Sequence, residues 1–166
     1  MGFKHFIIAS ACLTWLAGAQ EKAEPESSKA PKPPTAEDLA ARQIGIRTSW
    51  KNALNVAHQI AASQGYRRRD THWKAALPSE GFTVVPLQLY AGNEYYIILG
   101  TDGDTNQISA SAFDPERMLV KTAPDRGEGK LLLRLKPERS GTHYLRIHHK
   151  EKPTKPVHAA LTYLYK

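Results

Sequence analysis

The stretch that most constrains this chain is Glu94–Thr101, Glu-Tyr-Tyr-Ile-Ile-Leu-Gly-Thr. A β-strand sends successive side chains to opposite faces, so Tyr95, Ile97 and Leu99 point one way and Tyr96 and Ile98 the other. Both sets are apolar. A strand with one wet face carries polar residues at alternate positions; this one does not, so both its faces are expected to be covered. A second sheet can supply one cover. The other has to come from elsewhere in the chain.

That second cover is a helix upstream. Thr35, followed by Glu37 and Asp38, sets an N-cap ahead of first-turn carboxylates, which suit the positive end of the helix dipole. Leu39, Ile46, Trp50, Ala53, Leu54, Ala57, Ile60 and Ala61 then fall on one helical face, and Arg47, Lys51, Asn55, His58 and Gln59 fall away from it. Gly65 supplies the stop. The spacing predicts one amphipathic helix over 36–64, with its Trp50 face as the lid on Tyr96 and Ile98. Gly45 costs about 1 kcal/mol relative to Ala in a helix interior, so the first turns are expected to be loose or kinked.

From Gly81 onward the period of the pattern is two. Strands are predicted at Phe82–Tyr90, Glu94–Thr101, Gln107–Phe113, Met118–Thr122, Lys130–Leu135, Thr142–His149 and Val157–Tyr165. Turn residues stand between them, including Ala91-Gly92-Asn93, Asp102-Gly103-Asp104 and Pro124 to Gly129. Seven short strands with no intervening helix define a mainly-β fold: an antiparallel, jelly-roll-like β-sandwich over 81–166, with the N-terminal amphipathic helix packed on it. Pro86 cannot donate to a ladder, so its strand lies at an edge or carries a bulge. Pro86 to Asp104 reads as the central hairpin. Tyr66 to Lys74, polar and without a period, reads as a connector.

The folded domain is therefore expected over 36–166. Met1 to Ala19 has Lys4, an apolar run and Ala17-Gly18-Ala19, the pattern of a secretory signal peptide cut before Gln20. The run is shorter than the roughly 20 residues a membrane span needs, and no later segment is long and apolar enough, so no transmembrane segment is expected. Residues 20–35, rich in Pro, Lys and Glu, form a linker without regular structure. Cys12, the only cysteine, leaves with the leader. The exported chain is then free of disulfides and of a thiol nucleophile, and relies on its own core. Loss of Lys4 leaves 22 Lys and Arg against 16 Asp and Glu, a balance of +6. That charge aids colloidal solubility and gives a weak attraction to anionic partners.

Leu89-Tyr90-Ala91-Gly92-Asn93-Glu94-Tyr95-Tyr96, the acidic turn Asp102-Gly103-Asp104, the strand Ile108 to Phe113 closed by Asp114, and Ser140-Gly141-Thr142-His143-Tyr144-Leu145-Arg146-Ile147 together resemble the bacterial pre-peptidase C-terminal domains. The resemblance covers roughly Phe82 to His149. It implies a β-sandwich that is a non-catalytic appendage of a secreted enzyme, in some cases binding calcium or an insoluble substrate. Here no peptidase precedes the domain, only a leader, a linker and a helix, which suits a free-standing exported protein.

Three sets of residues are candidates for a site. Asp102, Asp104 and Asn106, with Asp114, offer oxygen ligands such as calcium takes; without Gly at the sixth position or Glu at the twelfth they are not an EF-hand, and Asp, Gly and Asn also simply make a tight turn. Tyr144, Arg146 and His148 share the wet face of the Thr142–His149 strand and form a candidate ligand-binding set. Arg67, Arg68, Arg69 and Lys74, near His72 and Trp73, form a candidate anion-binding cluster or a solvated connector; no nucleic-acid fold signature accompanies them, so nucleic acid is not expected as a partner. Among the histidines, His148 and His158 could meet across a ladder, and no pair has the spacing of a recognised zinc motif. Ser109, Ser111 and Ser140 lie in no nucleophile elbow, and no carboxylate pair brackets a sugar bond. The sequence therefore predicts an exported, non-enzymatic binding or interaction module of a bacterial envelope or secreted protein, with a glycan or an envelope protein as its ligand. No cofactor is expected, calcium at the acidic turn apart. Two alternatives stand beside it: a structural or assembly subunit that joins a partner through the helix or a sheet edge, and a calcium-stabilised accessory domain.

Overall fold

The computed structural model describes residues 33–122 and 124–166. The predicted signal peptide at 1–19, and all but the last residues of the predicted linker at 20–35, lie outside them. Pro34–Lys166 forms one structural unit. Helix α1 (Ala36–Gln64) opens on a reciprocal capping box. The Thr35 hydroxyl accepts the Asp38 N–H at 3.2 Å, and the Asp38 carboxylate accepts the Thr35 N–H at 2.9 Å, so two otherwise orphaned donors are satisfied. The Thr35 hydroxyl, which donates to the Asp38 carboxylate at 2.7 Å, and then the Thr35 N–H hold the Asp38 carboxyl below its ordinary range. The helix stops at Gly65, which takes the left-handed conformation at φ 70°.

Ten strands follow: β1 (Arg67–Arg68), β2 (Trp73–Leu77), β3 (Thr83–Leu89), β4 (Tyr95–Thr101), β5 (Ile108–Phe113), β6 (Leu119–Val120), β7 (Pro124–Gly127), β8 (Lys130–Leu135), β9 (Gly141–His149) and β10 (Val157–Tyr165). They form two antiparallel sheets. The helix-side sheet runs β1–β10–β4–β8–β7, with β2 also paired to β10; the outer sheet runs β3–β9–β5–β6. The molecule is a β-sandwich with one helix, as expected, and all seven predicted strands are present.

Three elements differ from the sequence reading. The connector at 66–74 contributes β1 and the start of β2, because nine-residue β10 offers a free edge for both. The predicted turn at 124–129 begins with β7, an edge strand where the missing N–H of Pro124 is tolerated. Pro86 to Asp104 is not a hairpin: β3 lies in the outer sheet and β4 in the helix-side sheet. The corner between them is held by the Tyr95 hydroxyl, which accepts the Tyr90 N–H at 2.9 Å and an Asn93 side-chain N–H at 3.2 Å. Pro86 sits in edge strand β3 opposite Tyr144, where a missing ladder donor is tolerated.

Strand β4 is covered on both faces. Tyr95, Ile97 and Leu99 join Val85, Leu87, Leu145, Ile147, Leu131 and Leu161 in the core between the sheets. Ile98 joins Leu132 and Leu164 beneath Ala53, Val56, Ala57 and Ile60 of the helix, with Trp50 and Tyr96 packed at the margin. Each of the fully buried Ile and Leu side chains contributes about 1.5–3 kcal/mol relative to exposure.

The helix touches the sheet through glycines. A Cβ on Gly100 of β4 would overlap the Ser49 carbonyl oxygen and sit 2.6 Å from the Ala53 nitrogen. A Cβ on Gly45 would overlap the Asp102 carboxylate and the His158 ring. Gly45 is thus a contact point in an unbroken helix and not the predicted kink. The Ser49 hydroxyl lies 2.8 Å from both the Gly45 and the His158 carbonyl oxygens, to either of which it can donate. The predicted helix face also needs correction at its start. Leu39, predicted on that face, is 47% exposed, and Ile44, outside the predicted face, is 64% exposed, because a helix of about 44 Å overhangs a sheet whose longest strands span about 30 Å. No helix among the described residues is long and apolar enough to cross a membrane.

In a free helix Gly45→Ala would stabilise by about 1 kcal/mol. Here Gly45→Ala is expected to lower stability instead, and Gly100→Ala to lower it by about 1–3 kcal/mol through overpacking, while exposed Gln59→Ala changes it by less than about 0.5 kcal/mol. Urea unfolding of the three variants measures this; a stabilised Gly45→Ala would refute the close contact.

Candidate functional site

The outer face of the outer sheet is built by alternation along three strands. In β9, His143, Leu145 and Ile147 turn into the core, which leaves Thr142, Tyr144, Arg146 and His148 on the outside. The register sets Arg146 between Val84 of β3 and Ser111 of β5, Tyr144 between Pro86 and Phe113, and His148 beside Ser109. The predicted set Tyr144, Arg146 and His148 is therefore brought together on one face, half-buried in the middle of a sheet. None of the residues that the three strands place on this face is a carboxylate.

Arg146 defines the electrostatics. Its guanidinium carbon lies 5.1 Å from the Phe113 ring centroid and 5.9 Å from that of Phe82. A guanidinium held over aromatic faces is attracted by their quadrupoles and loses part of its rotational freedom. Among the described residues Arg146 has no carboxylate partner, and its Nε has no hydrogen-bond acceptor. Phe82 is 61% exposed, so one side of this aromatic clamp is open to a ligand.

At the end of β9, buried ring nitrogens of His148 and His149 also lack partners. Burial, and then the neighbouring His148, push the His149 imidazole below its ordinary pKa.

The acidic-turn residues are engaged separately. Asp102 gives one carboxylate oxygen to the His158 backbone N–H and the other to His158 Nδ1, both at 2.7 Å. Asp104 caps a short 3-10 helix (Thr105–Gln107) by accepting the Asn106 N–H at 2.9 Å. Asp114 accepts the Met118 N–H at 2.7 Å in a different turn. Among the described residues no group of three or more His, Asp, Glu or Cys side chains is placed to hold a metal ion. The calcium set Asp102, Asp104, Asn106 and Asp114 is thus not gathered into one ligand shell.

The Asp102–His158 pair was missed by sequence reading. A carboxylate on a histidine is half of a nucleophile-activating arrangement. Here it pins β10 to the end of β4 beneath Gly45, and the nearby Ser49 hydroxyl is directed at carbonyl oxygens. His148 and His158, which the sequence allowed to meet across a ladder, do not share one. They lie on β9 and β10, consecutive strands in opposite sheets.

The basic cluster is dispersed. Arg67 and Arg68 occupy successive positions of β1 and so point to opposite faces. The Arg69 guanidinium lies over the Tyr90 and Tyr165 rings at 5.7 and 5.6 Å. The Lys74 ammonium lies 4.2 Å from the Trp50 ring centroid, which it caps beside His72. Of the tyrosines, Tyr95 and Tyr163 are core, and Tyr144 stands on the open face. Phe82 and Phe113, also missed, carry a sequence signal: each shares its strand's outward parity, with Val84 and with Ser111.

The chain matches no protein-family model and no curated protein.

The lowered His149 pKa gives a pH dependence. The native state binds fewer protons than the unfolded chain around the ordinary value of 6.5, so this contribution to stability is present above that pH and is lost as pH falls through it. His149→Gln is expected to flatten the decline of melting temperature between pH 7 and pH 5, as followed by circular dichroism; an unchanged slope would count against burial of the neutral ring.

Proposed function

We propose that this chain is an exported, non-catalytic binding module whose ligand is a glycan, held on the outer face of the outer sheet. The observation that carries this reading is Arg146 stacked between Phe82 and Phe113 beside Tyr144. Flat aromatic rings stack on the apolar faces of sugar rings, and a guanidinium between them supplies hydrogen bonds to hydroxyl groups. The resemblance to secreted accessory domains, the leader-like Met1 to Ala19 and the Pro-rich spacer support the same reading. The single Asp–His pair described above serves the helix–sheet contact, which suits a module that binds without reacting.

A panel of immobilised glycans tests the proposal. The protein is expected to bind at least one of them, and Tyr144→Ala to weaken that binding about tenfold, which corresponds to losing about 1.4 kcal/mol of stacking, with the melting temperature unchanged. Binding that survives Tyr144→Ala intact would place the ligand elsewhere.

One observation favours a second reading, an assembly subunit. The overhanging start of α1 exposes Leu39 and Ile44. In that case light scattering after size exclusion shows an oligomer that Ile44→Glu converts to monomer; a monomeric wild type removes this reading.

A further inference from the structure

We infer that the glycan is acidic: a polysaccharide of uronate sugars whose carboxylate is received by Arg146. This rests on the glycan reading above and adds the chemical class.

Charge complementarity carries it. Arg134 is paired with Glu94, Arg139 with Glu116 at 2.7 Å, and Arg126 donates to the Thr105 and Ile108 carbonyl oxygens. Arg146 has no such partner among the described residues, and the face around it presents no carboxylate. A neutral polysaccharide asks nothing of an uncompensated cation at the centre of its platform. A uronate does, because the planar guanidinium fork matches a carboxylate in two parallel hydrogen bonds. The Phe82 and Phe113 rings, their centroids 5.9 and 5.1 Å from the guanidinium carbon, attract the cation without neutralising it. Spacing agrees. Tyr144 precedes Arg146 by two residues on the same side of β9, about 7 Å away, so one sugar can give its carboxylate to Arg146 while its neighbour stacks on the tyrosine. The exported chain's balance of 22 Lys and Arg against 16 Asp and Glu, +6, draws a polyanion toward it.

The test uses isothermal titration of the full exported chain with de-esterified oligogalacturonate, oligoalginate and hyaluronan oligomers. Methyl-esterified oligogalacturonate, which has the same backbone without the charge, and a neutral β-glucan oligomer serve as counterparts. At least one acidic oligomer is expected to bind, at least tenfold more tightly than its esterified or neutral counterpart, with affinity falling as salt rises. Arg146→Gln is expected to erase that difference, and Arg146→Lys, which keeps the charge but not the fork, to restore only part of it. Equal binding of esterified and free oligomers, or acidic binding that Arg146→Gln leaves intact, overturns the inference. Neutral binding lost only in Tyr144→Ala overturns it too, yet leaves the glycan module standing. A folded protein that binds no oligomer and no glycan of the panel overturns the glycan reading itself, and this inference with it.

Discussion

The burial of β4 on both faces is the constraint from which the rest of this architecture follows. Its neighbours β10 and β8 are themselves largely buried, and the three strands form the middle of the helix-side sheet. A sheet with an apolar stripe on each side cannot end a molecule; it needs a layer above and a layer below. The outer sheet supplies one and α1 the other. Because Gly100 has no side chain, the helix backbone settles directly onto β4, and because Gly45 has none, Asp102 and His158 can lie beneath the next turns of the helix. Propensity would favour Ala at Gly45. The close approach overrides that preference because the alternative is a gap along the whole second core.

That arrangement also decides where a ligand can be met. The helix occupies one face of the helix-side sheet, and the outer sheet occupies the other. Of the sheet faces in the described structure, the outer face of the outer sheet is the one without a covering layer. Its strands keep a strict alternation, most plainly β3 and β5, where every second residue is buried. What they turn outward is therefore free of any duty to the core. The residues found there, a clamped arginine, two phenylalanines, a tyrosine and small hydroxyl side chains, are not what solubility alone would select.

Much of this was legible in the sequence, and what was not has physical causes. The two faces of Tyr95 to Leu99 and the outward parity of Tyr144, Arg146 and His148 are local periodicities, fixed by strand geometry. The capping box at Thr35 is equally local. Sheet membership is not. Nothing in Ala91-Gly92-Asn93 distinguishes a tight hairpin from a corner that crosses the core; the Tyr95 hydroxyl that holds the corner acts through tertiary placement. The same applies to β1 and β2, which exist because β10 is long enough to pair with them, and to Asp102 and His158, which stand 56 positions apart. The sequence reading took Asp102 for a turn residue or a metal ligand since its partner lies on a distant strand.

Arg146 shows how a cation can be kept on a protein surface without a counter-ion. A guanidinium tied to a carboxylate is neutralised and its fork is filled. Left wholly in water it is mobile, and binding has to order it at a cost in rotamer freedom of about 0.5–1.5 kcal/mol. Stacked on aromatic rings it is held without being neutralised: the rings attract the charge through their faces and leave the hydrogen-bonding edge unspent. The described structure uses both solutions, one in each sheet. Arg134 lies over Tyr96 and is also paired with Glu94; Arg146 lies over Phe82 and Phe113 and has no carboxylate partner among the described residues. A side chain built in the second way is ordered in advance for an anion, and the carboxylate-free face around it ensures that the anion has to come from outside.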